Sequence, residues 1–166
     1  MNESMMNWLN AALRWLHVVA GVLWIGHLYF FNFVNAQLVK TYDADSKKKV
    51  IPELMPRALY WFRWGAAWTW MSGVLLLGLV YYMGGALMEA DAGLSVSMGT
   101  VVGLAAIAIG FLLYDLLWSS PLKANPAAGT VVSVVLLAAF AWGLNQIFSP
   151  RAVFIHIGAL LGTTMA

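Results

Sequence analysis

Three histidines, His17, His27 and His156, hold most of the chemistry this chain can offer, and each lies inside a long apolar stretch. An imidazole in hydrocarbon is costly unless partnered, so its presence there marks a functional site by default. If the enclosing helices enter the membrane near Leu13 and near Ala152, His17 and His156 both lie ~6 Å deep at 1.5 Å per residue. Two imidazoles at one level on different helices can hold a haem iron from opposite faces, with the flat macrocycle between the helices. The alternative chemistry is plainer: each imidazole hydrogen-bonds to a neighbouring helix.

The flanking residues admit both readings. Ala20 and Gly21 follow His17 on its own helical face, and Gly158, Ala159 and Gly162 surround His156. Such small side chains leave room for a porphyrin, and they equally let helices pack closely. Arg14 and Arg151 lie nearer the same surface, where guanidinium forks pair with haem propionates or snorkel to headgroups. The expected cofactor-binding set is therefore His17, His156, His27, Arg14 and Arg151, with His17 and His156 on the iron of a haem b. His27 follows His17 by ten residues, which places it ~15 Å deeper and about 80° around the helix, in a different layer. Arg63 and Asp115 fall in that deeper half and are expected to form an ion pair, with a proton path or second cofactor contact at His27 as the alternative.

Other chemistries find no support. With no cysteine there is no disulfide, thiolate metal site or covalently attached haem. HxxxH, HExxH, a hydrolase triad and a phosphate-cradling glycine loop are all missing, so no catalytic residue is assigned.

The elements that must carry these histidines follow from composition. Hydrophobic residues make up 62% of the 166 residues and charged residues 10%, against roughly 45–50% and about 25% in soluble domains. The apolar residues fall into blocks of about twenty, enough to cross a hydrocarbon core of roughly 30 Å as helix. Lipid-exposed sheet edges and barrel alternation are excluded. The expected fold is an all-α, polytopic transmembrane helix bundle with four full helices and a partial fifth. One transmembrane domain covers 1–166, with helices at about 8–35, 58–83, 98–118, 129–148 and 152–166. The last segment spans only ~22 Å at helical rise, so it is expected to be truncated, tilted or completed by something else, as in the N-terminal part of a longer domain.

Nine Trp, six Tyr and eight Phe suit an interfacial aromatic belt. The small net charge of +2, with the lysine cluster confined to one loop, points away from nucleic acid. The loop 37–57 holds Lys40, Lys47, Lys48, Lys49 and Arg57, whereas 84–97 holds Glu89 and Asp91. Positive-inside then places the first loop in the cytoplasm and the N-terminus in the periplasm of a bacterial inner membrane. The stretch Met1 to Leu9 lacks the basic start of a cleavable signal, so the first apolar block is expected to be retained.

Four segments carry a family resemblance: LRWLHVVAGVLWIGHLYFFNFVN from Leu13, ALYWFRWGAAWTWMSG from Ala58, LLYDLLWSSPL from Leu112, and FSPRAVFIHIGALLGTTMA from Phe148. In this order, and across nearly the whole chain, they resemble the membrane domain of the bacterial cytochrome c-type urate oxidases, or urate hydroxylases. More distantly they are similar to membrane proteins of the copper-resistance D type and to the haem-binding protoporphyrinogen oxidases of the J type, which also place a histidine in an early helix. The resemblance implies a redox-associated membrane domain, oxidation of urate and transfer of electrons to a cytochrome c, with His17, His27 and His156 at the matching positions. It also implies further helices and a periplasmic cytochrome domain after Ala166, and this chain has no CxxCH site, so complete urate oxidation is not expected of this polypeptide alone. The expected partners are the lipid bilayer and a cytochrome c or larger membrane complex. A rival expectation is a non-catalytic accessory subunit of a respiratory or photosynthetic complex, packed through its small-residue and aromatic faces.

Overall fold

The computed structural model describes residues 2–88 and 93–166. Glu89 and Asp91, the acids in the topology argument, lie outside the described residues. The described chain is helical and without strands. Four of its helices are long and apolar enough to cross a membrane: α1 (Glu3–Thr41), α2 (Ala44–Tyr82), α3 (Val96–Ser119) and α4 (Pro126–Leu144). The fifth helix is α5 (Pro150–Met165).

Each helix starts where a short polar side chain can accept from a free backbone N–H. Asn2 accepts from Met5 N at 3.3 Å, Ser95 from Met98 N at 3.3 Å and Asn125 from Ala128 N at 3.2 Å. Pro126 and Pro150 open α4 and α5, where the missing N–H costs nothing. Asp43 opens α2 by accepting from Ser46 N at 2.7 Å. The Ser46 side chain and its backbone N–H hold the Asp43 carboxyl below the usual carboxylate range.

The main departure from the expected elements is the stretch 37–57, read from sequence as a loop. The structure makes it helix except at Tyr42 and Asp43, so that α1 runs on to Thr41 and α2 begins at Ala44. Pro52 and Pro56 lie inside α2, and both are exposed. The carbonyls they leave unpaired can therefore reach solvent, which lowers the penalty that an interior proline normally carries. Thus α1 and α2 are each roughly 58 Å long at helical rise, nearly twice a hydrocarbon core. Their charge-free runs, 15–39 and 64–82, are the membrane-length parts.

Both long helices contain a π-helical run, Phe30–Asn35 in α1 and Leu77–Tyr82 in α2. One extra residue per turn rotates everything that follows by about 100° relative to an α-helical continuation.

Packing divides the chain into two compact units, a first running to Gly73 and a second from Val74 to Met165. In the first, α1 crosses the early part of α2 at Gly65, where a Cβ would come within 3.1 Å of the Trp24 backbone nitrogen. Buried Ala20, Trp24, Ala66 and Ser72 and the edge-to-face pair Phe31 and Phe62, 5.6 Å apart, complete that contact. In the second, Leu87, Leu144, Phe148, Ala152 and Val153 form the core. Gly99, Gly103 and Gly110 line one face of α3 and are buried; Leu160 of α5 lies over Gly110. Small residues at these crossings are the expected device where lipid removes the hydrophobic drive between helices. Large apolar side chains such as Trp15, Val22, Leu112, Leu116, Val131 and Trp142 point outward, as a surface facing acyl chains does.

Candidate functional site

The three histidines share one local device: each directs Nδ1 at a backbone carbonyl. His27 Nδ1 is 2.7 Å from Leu23 O and His156 Nδ1 is 2.7 Å from Ala152 O, both one turn back on their own helices. His17 reaches across to α2, with Nδ1 2.9 Å from Thr69 O and 3.2 Å from Ser72 Oγ. A carbonyl only accepts, so Nδ1 carries a proton, and in the neutral ring the lone pair is then on Nε2. Ligating histidines are held in this way, their second nitrogen donating to a carbonyl while the first meets the metal.

Around His17 the α2 backbone makes a close cradle. Ser72 is 1% exposed, and its hydroxyl donates to Trp68 O at 2.6 Å. Thr69 Oγ1 donates to Gly65 O at 2.7 Å. A Cβ on Gly73 would come within 3.1 Å of His17 Cε1, so only glycine lets the ring approach α2 this closely. Nε2 finds no hydrogen-bond partner among the described residues of its unit, and the same holds for His27. His27 instead sets its ring 6.3 Å from that of Phe31 at the start of the π-helical run.

His156 is different. It is 0% exposed, and Tyr82 donates its hydroxyl to Nε2 at 3.0 Å. The Phe148 ring lies 4.8 Å away, centroid to centroid. Gly103 closes the other side, where a Cβ would fall 2.5 Å from His156 Nε2 and 2.8 Å from Tyr82 Oη. Both ring nitrogens are thereby satisfied without water, as a buried imidazole requires. An iron at Nε2 would first have to displace the Tyr82 hydroxyl. The Tyr82→Phe variant keeps the ring but leaves the imidazole acceptor unpaired in an apolar pocket. It is expected to cost about 1–3 kcal/mol, measured as a shift in the unfolding transition of the detergent-solubilised protein; an unchanged transition would show that the hydroxyl contributes nothing.

His17 thus belongs to the first unit and His156 to the second, each with its own partners. Arg14 is exposed and donates from Nε to Asn10 Oδ1 at 2.7 Å, while Arg151 is exposed in the first turn of α5. Arg63 and Asp115 are also exposed and lie in different units. The sequence reading missed Ser72, Thr69, Gly73, Tyr82 and Gly103. Only the Ser72-Gly73 dipeptide carried a signal, as a pair of small residues closing an aromatic run.

The sequence that carries these histidines has a counterpart among known families. The sequence profile of the family described as Urate oxidase N-terminal matches residues 3–166. The chain belongs to this family. No curated protein and no solved structure matches it. Membership covers every helix described above, so His17, His27 and His156 all fall inside the family's domain.

Proposed function

We propose that this chain is the membrane part of a urate-oxidising system of the bacterial inner membrane, and that His17 would hold a haem b within it. The family match over 3–166 is the observation that carries the first half. The second half is supported by His17, whose Nδ1 is held by Thr69 O and whose Nε2 has no hydrogen-bond partner among the described residues of its unit. The fit is one of donor chemistry: an imidazole with its Nδ1 proton held by a carbonyl, the tautomer that a metal needs, and glycine beside the ring. Bound there, haem b supplies a one-electron carrier between the oxidised substrate and a cytochrome c.

The chain's own residues do the rest. Thr69 keeps the His17 proton on Nδ1, and Gly73 keeps bulk away from the ring. Arg14, one turn before His17, is the propionate partner once it leaves Asn10. His156 and Arg151 carry a separate proposal, a second ligand and propionate contact, conditional on release of the Tyr82 hydroxyl. The basic stretch from Lys40 to Arg57 faces the cytoplasm, which sets the N-terminal end of α1 toward the periplasm.

The reading as a urate-oxidising system is tested in membranes containing the full-length protein, given urate and an added one-electron acceptor. Urate loss matched by two equivalents of reduced acceptor is expected. Urate loss no greater than in membranes lacking the protein would overturn it.

A further inference from the structure

We infer that Ser72 is a positioning residue for His17, and that with Thr69 O it forms a two-acceptor clamp that sets the ring's orientation and its strength as a haem ligand. The inference rests on the haem reading above and deepens it.

The His17 Nδ1–H lies 2.9 Å from Thr69 O and 3.2 Å from Ser72 Oγ, so one donor is shared between a carbonyl and a hydroxyl. The Ser72 hydroxyl gives its proton to carbonyls of its own helix, Trp68 O at 2.6 Å with Thr69 O at 3.1 Å, which leaves an oxygen lone pair for the imidazole. At 1% exposure no water can take the hydroxyl's place. Two acceptors on one N–H pull the proton outward and enrich the ring, which makes Nε2 a better donor to a metal. They also fix rotation about the bond to the ring, because a turn would lose both contacts in a low-dielectric setting. His27 and His156 have a single carbonyl at Nδ1, from their own helices. His17 alone among the described histidines is clamped from a second helix, which ties its ring to the α1 and α2 crossing. Gly73 belongs to the same device, since the ring rests where a Cβ would be 3.1 Å from Cε1.

The test uses Ser72→Ala and Gly73→Ala in the full-length protein, with two readouts: haem affinity by titration of the haem-free protein, and the ¹⁵N shifts of the imidazoles in that haem-free protein. Ser72→Ala is expected to weaken haem binding about tenfold and to move the His17 nitrogens while leaving those of His27 and His156 in place. Gly73→Ala is expected to move the same resonances by displacing the ring. Unchanged His17 shifts in both variants would overturn the clamp, as would unchanged haem affinity in Ser72→Ala. Wild-type protein that binds no haem would instead overturn the haem reading, and the His17 shifts would still decide whether the clamp exists.

Discussion

Replacing Gly103 with alanine is expected to destabilise the second unit by about 2–4 kcal/mol, the sum of overpacking and of a disturbed buried hydrogen bond. The added Cβ would sit 2.5 Å from His156 Nε2, 3.2 Å from His156 Cδ2 and 2.8 Å from Tyr82 Oη. The tyrosine hydroxyl can retreat, because it ends a long side chain. The imidazole cannot: it is sealed at 0% exposure, tethered to Ala152 O and packed against Phe148. As the hydroxyl retreats, the Tyr82 to His156 bond lengthens and a polar atom is left unpaired in an apolar surround. Gly158→Ala in α5 is the matched control, since a Cβ there meets nothing within 4 Å. There the change should be neutral or stabilising by up to about 1 kcal/mol, the ordinary helix preference for alanine over glycine. Unfolding of both variants in the same detergent measures the contrast, and equal transitions would show that Gly103 is not needed for the contact.

Gly103 also shows where sequence reading stops. Its pattern with Gly99 and Gly110 says that something packs closely on that face of α3, but not that the something is an imidazole. Tyr82 was hidden for another reason. Beside Tyr81 at a helix end it reads as part of an interfacial belt, and the π-helical run Leu77–Tyr82 that it ends shifts the helical phase on which face assignments depend. By contrast the all-α membrane class was legible, because a charge-free apolar run of membrane length has few other solutions. The histidines were legible too, since a polar ring within such a run stands out against its neighbours. Their partners were not, because a carbonyl leaves no trace in sequence. The stretch 37–57 misled through Pro52 and Pro56: a proline on an exposed face of a charged helix costs far less than one in a packed interior.

The largest functional effect is expected at His17. Replacing it with alanine removes the one imidazole that is both clamped across a helix crossing and open at Nε2, so haem b binding is expected to be lost rather than weakened. Thr69 and Ser72 would then have no ring to hold, yet both retain acceptors or donors within α2, Thr69 through Gly65 O and Ser72 through Trp68 O. The variant should therefore fold, which separates loss of cofactor from loss of structure. His27→Ala is the control on the same helix, in the other polar layer, and is expected to keep the haem. His156→Ala reports on the second proposed ligand independently: loss of the haem would place His156 on the iron, and retention would assign it to the Tyr82 pair alone.

A reduced-minus-oxidised absorption spectrum of the purified full-length protein tests this account most directly. The account predicts a b-type spectrum in the wild type and in His27→Ala, and none in His17→Ala. No b-type absorbance in the wild type, or absorbance that survives unchanged in His17→Ala, would contradict it.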